Sequence, residues 1–182
     1  MNIERALATP GFMAESELEY LASLAAKSGS IVEIGSWSGR SARAFADNTP
    51  GLVFCVDTWA DNAYGSAPAE MTCHPDWLWK EFGKNVGYEH HVMAWRMNSV
   101  QCAALVANQG FKFDLIFIDA GHNYEDVVAD INAWRPLLAT DGVLCGHDYT
   151  TVHHPGVVQA VDELIPNFRV VDGTTIWTTE GV

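Results

Sequence analysis

The chain alternates short, continuous apolar runs with longer stretches that carry a single apolar stripe. Runs of the first kind predict strands at residues 31–35, 52–57, 91–97, 113–119 and 143–147. Stripes predict helices near 38–46, 76–86 and 100–108. After 113–119, Val127, Val128, Ile131, Trp134, Leu137 and Leu138 share one helical face. Pro155 opens a further helix that turns Val157, Val158, Val161, Leu164 and Ile165 inward. Upstream, Ser16-Glu17-Leu18-Glu19 has the form of a capping box and starts a helix with Leu18, Leu21, Ala22 and Ala25 on one side. Near the end, 168–171 and 174–178 flank Asp172-Gly173 and predict a hairpin.

Apolar strands separated by amphipathic helices call for an α/β fold in three layers, a mostly parallel sheet with helices on both faces. The closing hairpin adds an antiparallel edge. No repeat or linker interrupts the pattern, so residues 1–182 read as a single domain. Such sheets bind ligands beyond the carboxyl ends of their strands. Those ends here are Glu33-Ile34-Gly35, Asp57-Thr58-Trp59, Asp119-Ala120-Gly121-His122 and His147-Asp148-Tyr149. The polar stretch 58–75 lies at the same edge and reads as a lid or substrate loop, with Tyr64, Met71 and His74 as acceptor contacts.

Composition narrows the partners. With 48% hydrophobic and 18% charged residues the chain is globular in type, and its apolar runs are too short to cross a bilayer. A formal net charge of −13, without any basic run, argues against nucleic acid as partner. The four cysteines form no CxxC pair, Cys55 and Cys145 sit in apolar stretches, and no apolar leader opens the sequence, so a reducing cytoplasmic setting is expected.

The first strand end carries the most chemistry. In Glu33-Ile34-Gly35-Ser36-Trp37-Ser38-Gly39, Gly35 permits a sharp turn off the strand and Gly39 a close helix start. A dinucleotide fingerprint would need glycine where Trp37 stands, and Glu33 would repel a pyrophosphate. Glu33 suits a ligand with an ammonium group, or a water network that holds one. Asp57, 22 positions after Gly35, ends the second strand where a carboxylate can accept from a ribose diol. Trp37 and Trp59 follow strand ends and are candidates for ligand contact. His122, three residues past Asp119, is the first candidate general base. Asp119 and Asp148 end strands expected to be neighbours, and two close carboxylates need a proton or a cation between them.

The spacing Glu33-x-Gly35-x-x-x-Gly39 resembles motif I of the class I, Rossmann-like S-adenosylmethionine-dependent methyltransferases. The run from Phe113 to Val127, then Trp134-Arg135-Pro136-Leu137-Leu138, Asp141-Gly142-Val143-Leu144, Gly146-His147-Asp148-Tyr149, Pro155-Gly156-Val157 and Ala160-Val161-Asp162-Glu163 are similar to the family 24 type of that class. The resemblance implies S-adenosylmethionine as cofactor and a small-molecule acceptor, with O-methyl transfer favoured. It implies that Glu33, Gly35, Ser36, Trp37 and Gly39 face the amino-acid part and sulfur, and that Asp57, with Thr58 and Trp59, takes the ribose side. Ser99 would touch the adenine, although Met97-Asn98 replaces the usual Gly-Asp before it, and Asp119 and Ala120 would border the cofactor. Asp119 would share catalysis with His122. A Mg2+ or other divalent site would use Asp119, His147 and Asp148; related enzymes usually offer an acid where His147 stands. A homodimer that completes the pocket is a further expectation. Two other classes stay open, a non-catalytic protein that binds the nucleoside and an NAD-dependent oxidoreductase.

Overall fold

The computed structural model describes residues 1–60, 76–87 and 89–181. Two helices, α1 (Glu4–Ala8) and α2 (Glu15–Ala25), come first. Then β1 (Ser30–Ile34), α3 (Arg40–Asn48), β2 (Leu52–Asp57), α4 (Trp77–Val86), β3 (Val92–Arg96), α5 (Ser99–Asn108) and β4 (Phe113–Ile118) take turns. Helix α6 (Tyr124–Trp134) runs into a 3-10 turn, Arg135–Leu137, and the chain continues as β5 (Leu138–Gly146), α7 (Pro155–Leu164), β6 (Arg169–Val170) and β7 (Trp177–Thr178).

The strands form one sheet in the order β3-β2-β1-β4-β5-β7-β6. The first five are parallel, while β7 runs antiparallel to both β5 and β6. Strand order reverses between β1 and β4, the switch point at which such sheets open a crevice. One face packs Ile31, Val53, Leu115 and Phe117 under Leu18, Phe45 and Phe82 of α2, α3 and α4. The opposite face packs Val32, Phe54, Ile116 and Ile118 under Val106, Ile131 and Val161 of α5, α6 and α7. Each such side chain, fully buried, contributes about 1.5–3 kcal/mol. The two cores fix the height of every strand, and therefore where the strand tips stand.

Three local expectations change. The N-cap of α2 is Ala14, so Ser16 lies inside the first turn, and Glu17 reaches back to accept from the Ala14 amide at 2.9 Å. The apolar stripe that begins at Val127 outlasts its helix: Pro136 cannot continue the ladder, and Leu138 opens β5 instead. A register shift between Phe113 and Leu115 absorbs the extra residues of β5. Short α1 carries no stripe that would have announced it. The hairpin stands, with Val171 donating to the Ile176 carbonyl at 2.9 Å. Among the described residues no helix is long and apolar enough to cross a membrane.

Candidate active site

The turn after β1 depends on its two glycines. Gly35 has φ +88°, and a Cβ there would stand 2.1 Å from the Asp119 carbonyl oxygen. Gly39, at φ +95°, would drive a Cβ to 2.4 Å from Val86. Between them Trp37 is itself left-handed, with φ 44°. Asp57 explains how that conformation is held: its Oδ2 accepts from the Trp37 amide at 2.9 Å and its Oδ1 from the Trp59 amide at 2.7 Å. Burial raises the Asp57 pKa despite these donors.

Glu33 is fully buried on β1. Ser41 of α3 donates to its Oε1, while Oε2 makes no hydrogen bond to a described residue. Burial pushes the pKa up to about 7, against the pull of the nearby Ser36 and Ser41 hydroxyls and with help from the charges of Asp119 and Asp57. An unfilled acceptor at this depth fits a polar group arriving from the crevice, directly or through water.

The ends of β4 and β5 carry a different chemistry. His122 Nε2 lies 2.7 Å from Asp148 Oδ2, and the ring lies over His154 with centroids 4.2 Å apart. His147 places Nδ1 3.2 Å from Asp148 Oδ1 and 3.6 Å from Asp119 Oδ1, and its Nε2 3.1 Å from Glu17 Oε1. Asp148 adopts φ 62°, a region sparsely occupied by residues other than glycine. Its Oδ2 thereby serves His122 while Oδ1 serves His147. Burial opposes charge on His147, yet hydrogen bonds to Asp119, Asp148 and Glu17 raise its pKa to about 12. Asp119 is raised by burial, against the pull of His147. The hydrogen bond to Asp148 raises His122. Burial would raise Asp148 too, but the two imidazoles pull it well below the usual carboxylate range. A cleft beside the cluster is lined by Asp119, Ala120, Gly121, His122, His147 and Trp177.

Most expected site residues thus meet at one end of the sheet, with Glu33 and Asp57 on β1 and β2, and Gly35 and Asp119 just beyond the ends of β1 and β4. Two are placed otherwise. The Trp59 indole is 1% exposed, packs against Trp79 and Phe82, and donates to the Trp37 carbonyl at 2.8 Å. It is core, and only its backbone serves the site. The Ser99 hydroxyl turns into α6, where it donates to Asp130 and accepts from Trp134 Nε1 at 2.8 Å, leaving the start of α5 only its backbone for an adenine. Thr58 is exposed beside Asp57, and Trp37 is half-buried against Phe12. Most of the expected lid, residues 61–75 with Tyr64, Met71 and His74, lies outside the described residues. Sequence reasoning missed Glu17 because its spacing from Ser16 and Leu18 signals only a helix start.

Residues 32–149 match the family described as "Methyltransferase domain", methyltransferase family 24. A search of curated proteins finds no match. Among solved structures, the O-methyltransferase TomG from Streptomyces achromogenes, in complex with S-adenosylmethionine, is 18% identical with a TM-score of 0.66 over 97% of this chain and 84% of that one. An O-methyltransferase from Bacillus cereus with S-adenosylhomocysteine is 15% identical, TM-score 0.62, over 97% and 89%. CalS11, a TDP-rhamnose 3'-O-methyltransferase of calicheamicin biosynthesis, is 16% identical, TM-score 0.64, over 88% and 75%. At these identities the likeness is one of fold.

Proposed function

Since the chain belongs to methyltransferase family 24 by its match over residues 32–149, we propose that it moves the methyl group of S-adenosylmethionine to an oxygen of a small acceptor. One observation carries this reading: the turn 35–39, Asp57 and the His122–Asp148 pair occupy the tips of consecutive neighbours β2, β1, β4 and β5. The sulfonium cofactor supplies an electrophilic methyl group. The protein's work is to align donor and acceptor and to keep water out.

Asp57 holds the Trp37 amide and presents its carboxylate to the ribose diol. Glu33 Oε2 is the acceptor for the ammonium end of the cofactor or for a water between them. Asp119 borders the sulfur, beside Ala120, whose Cα would lie 2.6 Å from a Cβ at Gly35. His122, oriented by Asp148, takes the proton of the acceptor hydroxyl. Because Asp148 raises its pKa, His122 becomes a competent base only as pH climbs above the ordinary histidine range.

Asp119, His147 and Asp148 fit a divalent ion. Each offers one ligand atom, and these atoms lie within 4.8 Å of one another. Held there, an ion would lower the pKa of an acceptor hydroxyl bound to it. The same lone pair on His147 Nδ1 takes either a proton or the ion.

The test is formation of S-adenosylhomocysteine with catechols, phenols and sugar hydroxyls as acceptors, with and without chelator. Turnover with at least one oxygen acceptor, rising with pH through and beyond the ordinary histidine range, is the expected result. Calorimetric binding of NAD in preference to S-adenosylhomocysteine would overturn the reading.

A further inference from the structure

We propose that Glu17 is a positioning residue for a divalent ion, fixing the His147 ring so that Nδ1 is presented between Asp119 and Asp148 and so favouring imidazole-accepting ions such as Mn2+, Co2+ or Zn2+ over Mg2+. The inference rests on the ion site of the methyltransferase reading, Asp119, His147 and Asp148.

Glu17 belongs to α2, far in sequence from the strand tips, yet its side chain is 6% exposed and that of His147 is 8% exposed. A residue that merely capped the helix would need one oxygen, and Oε2 does that for the Ala14 amide. The other oxygen faces away from the helix. Oε1 accepts from the Thr175 amide at 3.0 Å and the Thr175 hydroxyl at 3.1 Å, and it lies 3.1 Å from His147 Nε2. The carboxylate is therefore anchored from two elements and cannot rotate away from the ring. The contact is an ion-pair distance and not an aligned hydrogen bond, and the carboxylate charge at 3.1 Å favours a proton on Nε2, which leaves Nδ1 as the ligand atom. Carboxylates standing in this way behind metal-bound histidines set tautomer and ring orientation.

On the far side of the ring the separation to Asp148 falls in the range a shared ion needs, and the one to Asp119 is slightly longer. Two ligand atoms about 2.1 Å from one ion stand about 3.0–3.4 Å apart at octahedral or tetrahedral angles. Nδ1 is 3.2 Å from Asp148 Oδ1 and 3.6 Å from Asp119 Oδ1. Magnesium prefers an all-oxygen shell and dehydrates reluctantly, whereas imidazole suits later divalent metals.

Co2+ is the probe, because its visible d–d absorption reports the ligand set without any turnover. Titrated into the full chain, Co2+ should bind more tightly than Mg2+. The Glu17→Gln variant should weaken Co2+ about 10–100-fold and alter the band, while S-adenosylhomocysteine affinity stays within twofold of the parent. Should Glu17→Gln fail to fold, Glu17→Asp, which keeps the charge but shortens its reach to His147, supplies the test and should weaken Co2+ relative to the parent while leaving S-adenosylhomocysteine affinity within twofold. Equal Co2+ affinity and spectrum in folded Glu17→Gln, Mg2+ binding as tight as Co2+, or a folded parent that takes up no divalent ion would each overturn the proposal. S-adenosylhomocysteine binding, measured on the same samples, reports separately on the methyltransferase reading.

Discussion

Asp57 and Asp148 both sit at the tip of a parallel strand, one at the end of β2 and the other just beyond β5, yet their surroundings differ in kind. The oxygens of Asp57 meet backbone amides, those of Trp37 and Trp59 foremost, and burial wins, so its pKa rises. The oxygens of Asp148 meet two imidazoles, of His122 and His147, and there the partners win, so its pKa falls. Amides are fixed dipoles without a proton to give up. Imidazoles exchange protons near neutrality and ligate metals. Two identical side chains at equivalent places in one sheet thereby divide the labour. On the proposed reading the β1–β2 side would hold shape for a nucleoside, and the β4–β5 side would manage protons and a cation.

That division can be broken most forcefully at Asp148. Asp148→Asn removes the orienting charge from His122, and turnover should fall by roughly 10²–10⁴-fold, with S-adenosylhomocysteine affinity little changed. Comparable losses in both quantities would erase the distinction between the sides. Glu33 tests the static side through pH. Its carboxyl is raised from an ordinary 4.5 to about 7, so the folded state keeps a proton that the unfolded chain releases. Stability should be fullest below pH 4.5 and decline as pH rises through 7, by roughly 3 kcal/mol in total. Glu33→Gln should remove that slope, as read by denaturant unfolding at pH 5 and pH 8. A parent whose stability rises across this interval relative to Glu33→Gln has a Glu33 ionised in the fold. The smallest effect belongs to Asp57→Asn, which should weaken S-adenosylhomocysteine about tenfold, near 1.4 kcal/mol, while turnover at saturating cofactor holds within a few fold.

The sequence made the scaffold readable because its signals are local. Apolar runs at 52–57 and 113–119, glycines at 35 and 39 and the Pro155 start each act within a few residues of themselves. Strand tips then followed from the general rule for such sheets, which is why Glu33, Asp57, Asp119 and Asp148 could be named together. Glu17 was out of reach for the opposite reason. Its partners His147 and Thr175 are brought to it only by packing α2 against the sheet, and its local pattern was already explained by a helix start. Trp59 misled because its place after a strand end suggests a ligand contact, whereas the turn held by Asp57 swings the indole onto α4. Ser99 misled likewise: Asp130 and Trp134, one helix away, take up its hydroxyl.

A structure of the chain crystallised with S-adenosylhomocysteine tests the central claim most directly. The ribose hydroxyls should lie on Asp57, the amino-acid end near Glu33 and Gly35, and the sulfur beside Asp119 within reach of His122. A nucleoside bound anywhere else on the molecule, or no binding at millimolar concentration, would contradict it.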